Sequence, residues 1–99
     1  MARTEYVPEV FVDFDRFFDH LARTSANEAP ARIADLLEAV DILAHSPLIG
    51  RPFRDGKREL VIGRGNHGYV ALYRYVPDID TVFVLAFRSQ RESGFKHDA

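Results

Sequence analysis

"GRGNHG" (Gly63–Gly68) followed by "YVALYRYV" (Tyr69–Val76) decides how this chain folds. The first stretch fits G-x-G-x-x-G and comes after "RELVI" (Arg58–Ile62), which reads as a strand. A dinucleotide-binding turn needs a helix after its glycines, because the helix N-terminus faces the pyrophosphate. Tyr69–Val76 is instead β-branched and aromatic with period two, which is strand chemistry. Tyr69, Ala71, Tyr73 and Tyr75 would share one face, and Val70, Leu72, Arg74 and Val76 the other. The glycines therefore read as a hairpin turn. Glycine allows positive φ and Asn66 tolerates it, which places Arg64 and His67 at a hairpin tip.

Working outward, "PDID" (Pro77–Asp80) is a turn and "TVFVLAFR" (Thr81–Arg88) a further strand, apolar on both faces. Upstream, "RELVIG" is a short strand and "PLIGRPFRDGK" (Pro47–Lys57) a loop rich in Pro and Gly. Before the loop the periodicity becomes helical. Phe11, Phe14, Phe18 and Leu21, widened by Phe17, make one apolar face and predict a helix over 9–23, with Asp13, Asp15 and Asp19 largely off it. Ile33, Leu36, Leu37, Val40, Leu43 and Ala44 predict a second helix over 28–45, with Asn27 or Ser25 as its cap and Pro30 in its first turn. "RTEYV" (Arg3–Val7) is a short first strand. The order β-α-α-β-β-β predicts an α+β fold: an N-terminal helical hairpin on one face of a small, mainly antiparallel sheet, its last three strands a meander.

The chain has 99 residues, which suits a single domain spanning 1–99, and 46% of them are hydrophobic, enough for one packed core. It contains no Cys, so disulfides and thiolate metal sites are excluded. No apolar run is long enough to span a membrane and no signal-peptide pattern opens the chain. The expectation is a cytoplasmic protein with no membrane partner. The net charge of −2 hides an asymmetry: residues 1–50 carry four Arg/Lys against nine Asp/Glu, and residues 51–99 carry nine against six. Eleven of the 13 basic residues are Arg, whose planar fork suits carboxylates and phosphates.

His20, His45, His67 and His97 show no i, i+4 pair, so no metal site and no cofactor is expected. Arg74 sits among apolar neighbours on a central strand, where a charge is costly unless paired. It either bridges to an acid such as Glu59 or is presented to a partner. Arg58, Arg74, Arg88 and Arg91 are expected to cluster at one end of the sheet, with Arg88 sharing parity with Val82, Val84 and Ala86. Two strands are apolar on both faces, yet one helical hairpin covers only one face. The other needs a partner, a C-terminal segment or a second copy.

Taken in order, "HSPLIGRP" (His45–Pro52), "RELVIG", "GYVALYRYV" (Gly68–Val76) and "VFVLAFRSQRE" (Val82–Glu92) make the chain resemble the RelE/ParE superfamily of bacterial type II toxins over nearly its whole length. The resemblance implies a growth-inhibiting toxin that forms a hetero-oligomer with a small cognate antitoxin. It implies one of two targets: DNA gyrase, poisoned by protein contact in ParE-like members, or messenger RNA cut on the ribosome by RelE-like endoribonucleases. Val70 stands where RelE-like nucleases tend to carry Arg, "ELVI" lacks their alternating lysines, and Phe95 stands where their C-terminal Tyr is expected. Phe has no hydroxyl to exchange a proton. The resemblance therefore favours ParE-like action. A nuclease would rely on Arg58, Arg74, Arg88 and Arg91, with His67 the only nearby side chain that titrates close to neutral pH, and an inert binding module of the same fold is a third reading. Contacts with antitoxin or target are expected at Arg51, Arg64, Tyr73, Arg74, Arg88, Arg91 and Phe95.

Overall fold

The computed structural model describes residues 1–24, 26–63 and 68–97. The elements run β1 (Arg3–Tyr6), α1 (Glu9–Thr24), α2 (Ala29–Val40), β2 (Arg51–Pro52), β3 (Arg58–Ile62), β4 (Tyr69–Val76) and β5 (Thr81–Ser89). Short 3-10 turns precede and follow α2, at Ala26–Glu28 and Asp41–Ala44, and others lie at Arg54–Gly56 and Pro77–Ile79. The five strands form one sheet in the order β1-β5-β4-β3-β2. β1 runs parallel to β5, while all other pairs are antiparallel. The expected α+β architecture and the three-stranded meander are present.

Ile62 pairs with Tyr69 across the glycine turn, so β3 and β4 are a hairpin, and Gly63 takes φ 74° where it opens. Arg64 and His67 lie outside the described residues. The loop expected over Pro47–Lys57 contains a strand: Arg51 and Pro52 pair with Glu59 and Arg58. Pro52 lacks a ladder donor, and it sits on the sheet's edge strand, where none is needed.

α1 spans the range that its periodicity predicts, but the core stripe is turned. Val10, Asp13, Phe14, Phe17 and Leu21 are buried, whereas Phe11 is 59% and Phe18 39% exposed. Phe14 packs on Phe87 with ring centroids 5.2 Å apart, and Phe17 on Tyr69 at 4.9 Å. Each such buried aromatic contributes about 1.5–3 kcal/mol relative to an exposed one. The second helix tightens into the 3-10 turn after Val40 rather than continuing to residue 45. Its N-cap is Glu28, with no side-chain cap bond from Asn27, and Pro30 lies in its first turn as expected. Ser25 lies outside the described residues. Leu36, Val40 and Leu43 reach the core.

A β-bulge sets the last strand. Leu72 pairs with Ala86 but Tyr73 pairs with Val84, so Leu85 is an extra residue on β5. An inserted residue reverses the alternation beyond it. Val82, Val84 and Phe87 therefore face the helices together with Tyr69, Ala71 and Tyr73. Leu85 and Ala86 turn to the opposite face, against Leu72, Phe53, Phe83 and Phe95.

Candidate functional site

The sheet face away from the helices is the candidate site. Register alone assigns its residues. Glu59 pairs with Leu72, Arg51 with Glu59, and Arg74 with Phe83, so all stand on this face. Arg88 comes after Phe87 beyond the bulge and joins them. The expected parity of Arg88 with Val82 and Val84 is thus reversed by Leu85, a shift that alternation in the sequence does not reveal.

Glu59 is the hub. Arg51 Nε donates to its Oε1 at 2.8 Å, and Arg88 Nη2 lies 3.9 Å from its Oε2. The Glu59 side chain is 9% exposed and that of Arg88 16%, while Arg51 is 57% exposed. Arg88 also donates to the carbonyls of Ser89 and Glu92, and its guanidinium lies 5.3 Å from the Phe95 ring centroid. Phe95 meets Phe53 edge-on at 6.0 Å. These two rings, one from the loop after β2 and one from the C-terminal segment, cover part of the apolar face that the helices leave open.

Arg74 does not form the expected bridge to Glu59, whose oxygens are engaged by Arg51 and Arg88. Among the described residues Arg74 has no carboxylate within ion-pair distance. Its Nη1 instead lies over Gly56, 3.0 Å from where a Cβ would stand. Gly56 takes φ +76° and so favours glycine in any case.

The other expected site residues separate. Arg58 pairs with Tyr73 and shares the helix-side face, where its Nη1 donates to the carbonyls of Leu48 and Gly50. Arg91 lies on the helix side too, with Nη2 3.1 Å from His20 Nε2. The arginine cluster expected at one end of the sheet is therefore split between its two faces. Tyr73 is wholly buried, and its hydroxyl accepts the Gly50 N–H at 2.9 Å. Burial raises that hydroxyl's pKa, which the Gly50 bond and Arg58 only partly offset. It is a core hydrogen-bond acceptor rather than a surface contact.

Asp13 is the residue that helical periodicity places wrongly. It is completely buried, accepting from the Phe87 N–H at 2.9 Å, Arg16 Nη1 at 2.7 Å and His97 Nε2 at 2.9 Å. Phe87 needs this acceptor because β1 ends its pairing at Val84, leaving the upper edge of β5 bare. Arg16 continues to Glu92, which accepts the Ser89 N–H at 2.8 Å. Asp13 thus ties α1 to the C-terminal segment that carries Phe95. The sequence does hold a signal: Asp13 stands three residues after Val10 and four before Phe17, on the stripe that is buried.

Chemically, the open face offers guanidinium groups and aromatic rings around one carboxylate. Among the described residues it presents no histidine and no tyrosine hydroxyl. Tyr6, Tyr69, Tyr73 and Tyr75 pack on the helix-side core; His20 stands on α1 beside Arg91, His97 contacts Asp13 of α1, and His45 closes the 3-10 turn after α2. No group of metal-ligating side chains occurs among the described residues. Such a face can grip an anionic or aromatic partner.

A helical hairpin packed on one face of a five-stranded mixed sheet is a fold that other solved proteins share. The solved toxin–antitoxin structures that share it include the chromosomal ParDE system from P. aeruginosa, at TM-score 0.75 and 22% identity over 90% of this chain and 96% of that one. They also include the RelBE2 complex from Mycobacterium tuberculosis, at 0.61 and 21% over 90% and 98%. The intact E. coli RelBE complex aligns at 0.61 and 15% over 93% and 100%. Comparison with proteins of curated function returned no match in sequence. The family model for the ParE toxin of the type II toxin–antitoxin system parDE matches residues 5–94, and the chain belongs to that toxin family.

Proposed function

We propose that this toxin acts by gripping a protein target, DNA gyrase, rather than by cutting RNA, and that a small antitoxin neutralises it by occupying the same sheet face. The observation that carries this reading is the chemistry of the open face: arginines and aromatic rings without a titratable hydroxyl or imidazole among the described residues. A nuclease needs general acid–base groups within hydrogen-bond reach of the 2′-hydroxyl and the leaving oxygen. The family match to ParE toxins supports the same choice. The antitoxin expectation rests on the ParDE and RelBE neighbours, both solved as toxin–antitoxin systems.

Arg74 and Arg51 are the proposed anchors, since both are accessible enough to exchange their present contacts for a partner's carboxylates. Arg88 and Phe95 form the floor on which those contacts rest. Purified protein should inhibit gyrase supercoiling, and Arg74→Glu should abolish inhibition, because a like charge at a docking face costs several kcal/mol. Codon-positioned cuts in messenger RNA after induction, together with unaffected supercoiling, would overturn the assignment.

A further inference from the structure

On the side of the molecule away from Arg74 and Arg88 lies a cavity of about 630 Å³. It sits between the last two turns of α1, the start of β4 and the turn after β5. Its floor is apolar, made by Phe17 and Leu21 of α1 and by Tyr69, whose ring packs on Phe17. Its rim is basic, with Arg23, His20 and Arg91. Cavities of about 300–1,000 Å³ with an apolar floor and a few convergent polar groups are the usual form of a small-molecule site.

The charges around the cavity do not cancel. Arg16 is matched by Asp13 and Glu92, and Arg32 is matched by Glu28 at 3.4 Å. Arg23 and Arg91 have no carboxylate within ion-pair distance among the described residues. Arg91 is instead in contact with the imidazole of His20, whose Nε2 must act as acceptor for the guanidinium. That contact uses one of the five N–H groups of Arg91 and supplies no counter-charge, so an oxyanion in the cavity could accept from the others.

We propose that this cavity binds a phosphomonoester carrying a planar ring, of mononucleotide size, with Arg23 and Arg91 holding the phosphate and the Phe17–Tyr69–Leu21 floor receiving the ring. Guanidinium forks match phosphate oxygens, and the aromatic floor supplies the apolar area that inorganic phosphate would leave unused. The site is independent of the gyrase reading, since none of its groups lies on the open face.

The test is calorimetric titration of the full chain at low salt with AMP, adenosine and inorganic phosphate as probes. AMP should bind at least about tenfold more tightly than either fragment. Arg23→Gln and Arg91→Gln should each weaken AMP about tenfold, as expected for loss of one charge-assisted hydrogen bond. Arg74→Gln, on the opposite face, should leave AMP binding unchanged. Circular dichroism of each variant checks that it is folded. AMP binding no tighter than phosphate or adenosine would overturn the proposal, and so would AMP binding that the Arg23 and Arg91 variants leave intact. Failure of this titration would not touch the supercoiling result, and loss of supercoiling inhibition would not touch this one.

Discussion

Asp13 accepts from a backbone amide, an arginine and a histidine while excluded from solvent. Removing a buried acceptor is costlier than its net contribution suggests, because its donors are left without partners. Asp13→Ala should lower stability by about 3 kcal/mol in urea unfolding, and Asp13→Asn by less, since the amide oxygen still accepts from Phe87. Burial of Glu92 would by itself raise its pKa, but the Ser89 N–H, Arg16 and Lys96 outweigh it and hold the carboxyl below its ordinary value. A depressed carboxyl contributes stability that is complete above its unfolded value, near about 4.3, and is lost as pH falls through the folded one. The stability gap between wild type and Glu92→Gln should therefore be constant at neutral pH and shrink below about pH 4.3. Denaturant midpoints measured across the acid range and up to neutrality check it. Gly50 is fixed by closeness: a Cβ there would stand 2.6 Å from the Tyr73 hydroxyl and 2.8 Å from the Glu59 carbonyl. Gly50→Ala should cost about 1–3 kcal/mol as overpacking. Little of this is legible in the sequence. An aspartate amid phenylalanines reads as the polar side of a helix unless the stripe's phase is known. Setting that phase by Phe11 and Phe18, which are both exposed, turns it away from Val10 and Asp13.

Elements are easier to read than the contacts between them. The strand over Tyr69–Val76 and the helix over Glu9–Thr24 follow from periods of two and of three to four, while Thr81–Ser89 follows from its run of β-branched and aromatic residues after a turn. β2 is hidden because a two-residue edge strand containing Pro carries no period. The bulge at Leu85 is hidden because an apolar run has no polar marker to show where alternation slips. That slip decides the site, since it alone brings Arg88 beside Glu59. The C-terminal segment matters at the same scale. Phe95→Ala removes the ring against Phe53 and Arg88, and should cost about 1–2 kcal/mol, less than a fully buried Phe because the ring is half-buried. It should also raise binding of a hydrophobic dye, read by fluorescence, as Leu72 and Leu85 lose cover.

At the scale of the whole molecule, the α+β class and the helical hairpin on one sheet face are readable from element order. The pairing of β1 with β5 is not, because nothing local in "RTEYV" names a partner almost eighty residues away. That pairing has a consequence for synthesis. The first strand of the chain waits for the last, and β5 is also the neighbour on which β4 and α1 pack. A ribosome making this protein at about 5–20 residues per second therefore carries an unfinished sheet until β5 has emerged. Nascent chains stalled with β5 still inside the exit tunnel should be cut readily by protease, whereas chains extended until residue 97 has emerged should resist. If the target is gripped as proposed, the docking face exists only once β5 has joined the sheet, and the interval before that is time in which the proposed antitoxin can be made.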